Sequence, residues 1–271
     1  MKSLTLPSLE ESVHISADTV SAFRKNGHAL TNNLLQPEEL VPYRAAINDA
    51  AYRFNTEKRK MEERDTYGKA FLQIMNLWEV DEAVRAFTFA KRFGRIAAEL
   101  LGVSNVRIYH DQALYKEPGG GFTPWHQDQY YWPLDTMNTV TMWMPLVDID
   151  VDMGMLTFAS GSHKPGAIGN IAISDESEQL LNDHVAEKRY PVTRASTMKA
   201  GDASWHYGWT LHSAPGNKSE TTREVMTIIY FADGAVVTQP INEHQENDRN
   251  RWLCGLTPGF EASSRLNPLV L

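Results

Sequence analysis

The residues best suited to metal chemistry lie in two short segments of the chain. In Thr123-Pro-Trp-His-Gln-Asp128, a histidine and an aspartate stand two positions apart. On an extended strand His126 and Asp128 therefore project from the same face. His212 lies in Trp209-Thr-Leu-His212, before a turn, on a distant strand that a β-sandwich brings across its core. Two imidazoles and one carboxylate on one face, with positions left open, are the ligand set expected of a non-haem Fe(II) oxygenase.

A cation follows this ligand set at the start of another predicted strand. Arg223 comes eleven residues after His212 and directly precedes the apolar run Glu224–Phe231. Its planar guanidinium suits bidentate binding of a carboxylate, which an oxo-acid cosubstrate presents. Taken alone, a His-x-Asp pair is common, and a single arginine after a turn is typical of a protein surface. The ordered set of four residues is what indicates an oxygenase.

The first hundred residues, which would support these strands, read mainly as helix. Ser16 can cap a first helix and Gly27 can end it. Pro42 makes the second helix either start late or kink. Asp81 can cap the third helix and Gly102 can end it. The apolar spacing of three and four residues predicts the segments Ala17–Lys25, Pro37–Phe54 and Asp81–Leu101.

After Gly102 the pattern changes to short β-type runs separated by turn residues. Strands without intervening helices predict an antiparallel sandwich or barrel, here a β-jelly-roll backed by the helical layer. The expected organisation is one domain over 1–271, with helical support in 1–102, jelly roll in 103–235 and a tail in 236–271. The predicted strands are Val106–Tyr115, Thr139–Val147, Gly154–Phe158, Ala203–His206 and Glu224–Phe231.

Composition narrows the possible partners. The 271 residues carry 26 Lys and Arg against 34 Asp and Glu, a net charge of −8, which disfavours a nucleic-acid or anionic-membrane surface. The single Cys254 excludes an internal disulfide and a thiolate zinc site. No run reaches the roughly 18 apolar residues of a membrane span, and the start MKSLTLPSLEESVH lacks the apolar region of a signal peptide. We therefore expect a cytoplasmic protein without nucleic-acid or membrane partners.

Several motifs occur in an order that matches a known family. They are Phe23-Arg-Lys-Asn-Gly-His28, Trp125-His-Gln-Asp128, Gly154-Met-Leu-Thr-Phe-Ala-Ser-Gly-Ser-His163-Lys, Gly201-Asp202, His212, Arg223 and the tail segment Trp252-Leu-Cys-Gly-Leu-Thr-Pro-Gly259. In this order the chain resembles the phytanoyl-CoA dioxygenase-like Fe(II)/2-oxoglutarate oxygenases over most of its length.

The resemblance implies a double-stranded β-helix fold and a set of site residues. Fe(II) would be held by His126, Asp128 and His212, and 2-oxoglutarate would chelate the iron with its far carboxylate on Arg223. With O₂ as the other cosubstrate, the reaction would release succinate and CO₂ and hydroxylate an aliphatic carbon, with no catalytic side chain beyond the metal ligands. Asp128 favours oxygenation over halogenation, because related halogenases have Gly or Ala there. Further cosubstrate contacts are expected from Gln112, Trp143 and Gln73.

Aromatic residues beside the ligands suggest where a small-molecule substrate binds. Alternate members of the runs around Tyr131 and Trp205 must face the barrel interior, and these two are the predicted substrate contacts. His110 and His206, on predicted strands, are expected to be structural. Two alternatives remain open, namely a zinc-dependent hydrolase on the same ligands and a jelly-roll metabolite-binding protein with a vestigial metal site. The sequence assigns neither the substrate nor the oligomeric state.

Overall fold

The computed structural model describes residues 6–271, so the first five residues of the N-terminal segment considered for a signal peptide lie outside the described residues. The helices in this range are α1 Ala17–Asn26, α2 Pro37–Phe54, α3 Thr66–Ala70, α4 Glu82–Thr88, α5 Lys91–Leu101, α6 Asp175–Glu187 and α7 Glu243–Trp252. The strands are β1 His28–Thr31, β2 Leu72–Met75, β3 Val106–Lys116, β4 Thr123–His126, β5 Thr139–Pro145, β6 Ile149–Asp150, β7 Thr157–Ala159, β8 Val192–Arg194, β9 Thr197–Met198, β10 Ala203–Tyr207, β11 His212–Ala214 and β12 Arg223–Ala232.

The first two helices begin and end close to where the sequence predicts. The Ser16 hydroxyl accepts a hydrogen bond from the Thr19 N–H at 3.1 Å, and Gly27 ends α1 with a φ of +86°. Helix α2 starts at Pro37 and runs through Pro42 to Phe54. Of the two options for Pro42, the late start is therefore wrong. One missing N–H in the second turn is tolerated because buried residues of α2 pack against the rest of the core.

The third predicted helix, Asp81–Leu101, is wrong as a single element. Asp81 caps it as expected, since its Oδ1 accepts from the N–H groups of Ala83 and Val84. However, Ala90 adopts an extended conformation with ψ of 120°, which separates α4 from α5. The apolar spacing continues across the break because every residue of the predicted stripe is buried, namely Val84, Phe87, Ala90, Phe93, Ala97 and Leu100.

Two antiparallel sheets face each other and form the jelly roll. The larger has the strand order β1-β10-β5-β12-β3-β2 and the smaller the order β4-β11-β7-β8. The predicted strands are all present with shifted ends, and the run predicted as Gly154–Phe158 forms a strand only from Thr157 to Ala159. Strands β1 and β2 come from the N-terminal hundred residues, so the supporting region is not purely helical.

The larger sheet has a core face and a site face, as strand alternation requires. On β5, Val140, Met142 and Met144 pack with α1, α2, α4 and α5 in the main apolar core. Thr141 and Trp143 point the other way, into a cavity between the two sheets. The helical layer therefore fixes the sheet whose opposite face carries the polar residues.

Two later helices pack on the jelly roll, α6 against β4 and α7 along the cavity itself. Helix α6 lies within the insertion between the halves of the jelly roll, where its Glu178 carboxylate accepts from the Trp125 N–H at 2.8 Å. Helix α7 follows β12, and the Gln245 side chain anchors it by donating to the Tyr130 carbonyl at 3.1 Å. Among the described residues, no helix combines the length and apolar character needed to cross a bilayer.

Candidate metal centre and active site

The three predicted ligands converge at the mouth between the sheets. His126 and His212 are paired residues on β4 and β11, and their ring centroids are 4.1 Å apart. The Asp128 Oδ1 lies 3.3 Å from the Nε2 of His126 and 3.6 Å from that of His212. One ligand atom from each residue lies within 4.8 Å of the other two. This is a facial arrangement of two imidazoles and one carboxylate.

The backbone around Gln127 places Asp128 beside His126. Strand β4 ends at His126 and a short 3₁₀ turn begins at Asp128, but Gln127 itself is extended, with φ of −118° and ψ of 123°. Alternate residues therefore still share a face. The Gln127 amide points away from the centre, where it donates to the carbonyls of Trp209 at 2.6 Å and Gly166 at 2.9 Å. These bonds secure the turn that presents the carboxylate.

Both histidine rings are oriented for metal binding through Nε2. The Nδ1 of His126 lies 2.7 Å from the Pro124 carbonyl, and that of His212 lies 3.0 Å from the Thr210 carbonyl. A carbonyl only accepts, so each Nδ1 carries the proton and donates. Each Nε2 therefore has a free lone pair facing Asp128, which is the usual arrangement of metal-bound histidine.

The protonation states of His212 and Asp128 also suit metal binding. Burial lowers the pKa of His212 well below its usual range, and the nearby His126 acts in the same direction. Burial alone would raise the pKa of Asp128, but the neighbouring histidines, His212 first and then His126 and His206, hold that pKa well below its usual range. Neutral imidazole and ionised carboxylate are the forms that bind a divalent cation. The residues present therefore fit an iron ion.

His206 is a site residue that the sequence analysis treated as structural. Its Nε2 donates to the Asp128 Oδ2 at 3.2 Å, and the Thr141 hydroxyl donates to the same oxygen at 3.2 Å. His206 is only 1% exposed and its ring lies 4.4 Å from that of His212. The two donors fix one carboxylate oxygen, so the other is presented to the metal position. The sequence signal for this role was the position of His206 directly after Trp205, because neighbouring residues on a strand face opposite sides of the sheet.

Arg223 lies at the other end of the same cavity, which has a volume of about 460 Å³. It is 2% exposed, donates to the Gly154 carbonyl, and stacks over the Trp143 ring with its guanidinium carbon 5.2 Å from the ring centroid. Within the described part of the chain, its Nε has no hydrogen-bond partner. Burial lowers the pKa of Arg223 to about 9, so it is cationic at neutral pH. A buried cation with an unused donor is suited to a carboxylate.

The remaining residues predicted to contact the cosubstrate also line this cavity. Trp143 lies under Arg223, Gln112 faces the cavity from β3, and Gln73 faces it from β2. The Thr227 hydroxyl is 3.5 Å from the Gln112 Oε1, and the Tyr67 hydroxyl donates to the Gln73 Oε1 at 3.3 Å. The structure thus brings these three residues together, and their contacts with a cosubstrate stay a prediction.

The two predicted substrate contacts differ in where they lie. Tyr131 lines the cavity, and its hydroxyl accepts from the Ile173 N–H at 2.9 Å. Trp205 is wrong as a substrate contact, because it is fully buried on the opposite face of the larger sheet and its indole donates to the Thr31 hydroxyl at 2.9 Å. The alternation rule holds, but the member of that run which faces the metal centre is His206.

Together, a jelly roll and a facial set of two histidines and one carboxylate define the class of mononuclear non-haem iron oxygenases. The chain belongs to the phytanoyl-CoA dioxygenase (PhyH) family, whose sequence pattern matches residues 23–225.

Two relatives resemble this chain in sequence, and a solved structure resembles it in fold. An ectoine dioxygenase from Nocardia farcinica (strain IFM 10152) is 23% identical over 248 residues, which cover 83% of this chain and 81% of that protein. A probable alpha-ketoglutarate-dependent hypophosphite dioxygenase from Stutzerimonas stutzeri is 23% identical over 157 residues, 57% of this chain, and the match spans 54% of that relative's length. The crystal structure of the non-heme alpha ketoglutarate dependent carbocyclase SnoK from nogalamycin biosynthesis shares the fold, with a TM-score of 0.78, 24% identity and coverage of 98% of this chain and 100% of SnoK.

Proposed function

We propose that this protein is an Fe(II)- and 2-oxoglutarate-dependent dioxygenase that hydroxylates an aliphatic carbon of a small molecule. The observation that carries the proposal is one cavity that is lined both by the facial ligand set and by Arg223, whose Nε has no hydrogen-bond partner among the described residues. A dicarboxylate that chelates a metal through one end needs such a cation at the other. In the overall reaction, 2-oxoglutarate, O₂ and a C–H bond give succinate, CO₂ and an alcohol.

The residues of this chain bind and orient rather than react. His126, Asp128 and His212 would hold the iron, which when bound supplies the activation of O₂. Because these ligands occupy one face, the opposite positions stay free for 2-oxoglutarate and O₂. Arg223 orients 2-oxoglutarate by pairing with its far carboxylate. Beneath Arg223, the Trp143 ring excludes water from that pair, which strengthens the ion pair in its low-dielectric surroundings.

We assign cosubstrate contacts to Gln112 and Gln73 and a substrate contact to Tyr131. Each lines the cavity with a polar group whose hydrogen-bonding capacity is only partly used. The two amides lie on β3 and β2, in the same sheet as the Arg223 strand, whereas Tyr131 ends the short 3₁₀ turn that begins at Asp128. A cosubstrate and a substrate can therefore approach the metal from different sides.

The two alternative functions have less support. A zinc hydrolase on these ligands would not need an unsatisfied buried arginine in the same cavity. A binding protein with a vestigial site would not need both histidine ligands to carry their proton on Nδ1, nor two hydrogen-bond donors to Asp128. The matching relatives named above are dioxygenases, which favours the oxygenase.

Anaerobic titration of the purified protein with Fe(II) and then 2-oxoglutarate tests the proposal. The chelate should give a weak visible charge-transfer band, and admission of O₂ should couple oxygen consumption to succinate formation. His126→Ala should abolish both signals, whereas the exposed His14→Ala should leave them unchanged. Absence of the band in the unmodified protein would refute the assignment. Zn²⁺-dependent hydrolysis without succinate would support the first alternative.

A further inference from the structure

A β-bulge in the larger sheet places two consecutive residues on the face that carries the site, and the second of them, His110, lines the cavity. Along β3 and β12, His110 pairs with Ile229, but Tyr230 pairs with Ile108, so Tyr109 is an extra residue. Ile108 belongs to the core against the helices, whereas Tyr109 and His110 both lie on the site face. Bulges occur beside active sites because they redirect side chains in this way.

The bulge positions a carboxylate contributed by helix α7. The Tyr109 hydroxyl donates to the Asp248 Oδ2 at 3.0 Å. Within residues 6–271, the Asp248 carboxylate has no other hydrogen-bond partner and no ion pair, although it lines the cavity. Arg251, one turn later on α7, instead stacks on the Trp252 ring at 4.3 Å. Asp248 therefore faces the cavity with one oxygen unused.

A second polar group on the same side of the cavity is unsatisfied. His110 is 3% exposed, and its Nδ1 has no partner within the described part of the chain. Its ring lies 5.2 Å from that of Trp252, and the Tyr109 ring lies 5.3 Å from that of Trp132. Buried polar groups are rarely left unpaired in the absence of a ligand. Aromatic rings thus surround two polar groups with unused capacity.

The location of these groups separates them from the cosubstrate pocket. His110, Ile229, Thr141 and His206 form one row across neighbouring strands, and this row includes the two donors to Asp128. Arg223 lies six residues away from Ile229, at the start of β12. From the metal centre, one direction therefore leads along the strands to Arg223, and another leads across them to His110 and α7.

We infer that Tyr109, His110, Asp248 and Trp252 form the substrate subsite, and that it binds a ring-bearing small molecule through a hydrogen-bond donor on that molecule. Asp248 accepts the donor, a hydroxyl or an ammonium group, and Trp252 and Trp132 pack on the ring. Tyr109 is a positioning residue for Asp248. The inference rests on the proposed function in calling the bound molecule a substrate, but binding at the subsite does not require iron.

Three probes of matched shape test the inference, namely benzyl alcohol, benzylamine and benzyl methyl ether. Each is added in millimolar amounts to the full chain under argon, with and without Fe(II) and 2-oxoglutarate. Binding is followed by thermal melting and by quenching of tryptophan fluorescence. Burial raises the pKa of Asp248 to about 7, so the assay is run near pH 8.5, where this carboxylate is ionised. The alcohol or the amine should then bind at least about tenfold more tightly than the ether, because only the ether lacks a donor for the carboxylate. The alcohol-to-amine ratio then identifies the donor as hydroxyl or ammonium.

Matched variants distinguish the subsite from a general effect of charge. Asp248→Asn should remove most of this preference, and Tyr109→Phe should weaken it, while Glu243→Gln on the exposed side of α7 should leave it intact. Equal binding of ether and alcohol, absence of binding by all three, or retention of the preference in Asp248→Asn would overturn the inference. Because the metal-free arm does not need the iron site, failure of the charge-transfer titration is a separate result.

Discussion

Replacing Arg223 by methionine should weaken 2-oxoglutarate binding and at the same time stabilise the ligand-free protein. Arg223 is buried, its Nε is unsatisfied within the described residues, and no carboxylate of those residues lies within ion-pairing distance. Methionine keeps an unbranched apolar chain of similar reach over the Trp143 ring. The two effects have opposite signs because the charge is useful only when the cosubstrate is present.

The structure gives the size of both effects. Burial lowers the pKa of Arg223 from 12.5 to about 9, which at about 1.4 kcal/mol per pKa unit corresponds to a cost of up to roughly 5 kcal/mol in the folded state. Loss of the hydrogen bond to the Gly154 carbonyl offsets about 1–3 kcal/mol of this. We expect a net gain of up to about 2–4 kcal/mol, or a rise in Tm of several degrees. Loss of a bidentate charged contact worth about 3 kcal/mol should raise the Kd for 2-oxoglutarate on the order of 100-fold.

Thermal melts and anaerobic 2-oxoglutarate titrations of the same preparations measure the two quantities. Arg265→Met is the matched control, since that arginine is largely exposed in a surface ion pair with Glu79 and should change neither value much. Arg223→Lys keeps the charge without the planar fork and should fall between the wild type and Arg223→Met in affinity. Unchanged 2-oxoglutarate affinity in Arg223→Met would refute the assigned role, and a large drop in Tm would refute the electrostatic reasoning.

Three further changes test other parts of the structure. His206→Phe leaves only the Thr141 hydroxyl on the Asp128 Oδ2, so Fe(II) affinity should fall about 10- to 100-fold in an anaerobic titration, and an unchanged affinity would mean that His206 does not orient the carboxylate. Trp205→Ala should lower the unfolding free energy by about 3–5 kcal/mol in a denaturant titration, and the Kd for 2-oxoglutarate should stay unchanged under conditions where the variant is folded. A selective loss of 2-oxoglutarate affinity would contradict the placement of Trp205 in the core. Burial raises the pKa of Asp111 to about 7, so the folded state holds its proton more tightly than the unfolded state, and stability should fall as pH rises from about 4 to 7. In Asp111→Asn that decline, followed by Tm, should be shallower, and an identical pH profile would show that this carboxyl does not cause it.

The metal ligands were predictable because their geometry depends on local rules. A two-residue spacing on extended backbone places His126 beside Asp128, and pairing of β4 with β11 brings His212 opposite His126. Arg223 was predictable from the need of a dicarboxylate for a distant cation. These inferences need only strand alternation and the chemistry of the ligands.

The features that the sequence did not reveal depend on which face of the sheet each strand residue occupies, and on packing between segments that are far apart in the chain. The run around Trp205 alternates as expected, but which member faces the site depends on register with β5, where Trp205 pairs with Met142 and His206 with Thr141. Residue spacing did not reveal the extended conformation of Ala90, because the apolar stripe continues across the break. Nor did it reveal that α7, beyond the last large-sheet strand, returns to cover the cavity.

Helix α7 places part of the proposed substrate subsite outside the segment of the chain that matches the family. The ligands and Arg223 all lie within residues 23–225, the part that matches the family, whereas Asp248 and Trp252 lie after it. Exchange of the last forty residues with those of another family member would therefore be expected to alter which compound is accepted while leaving oxygen chemistry intact. In such a protein, diversification of substrate range is compatible with an unchanged reaction centre.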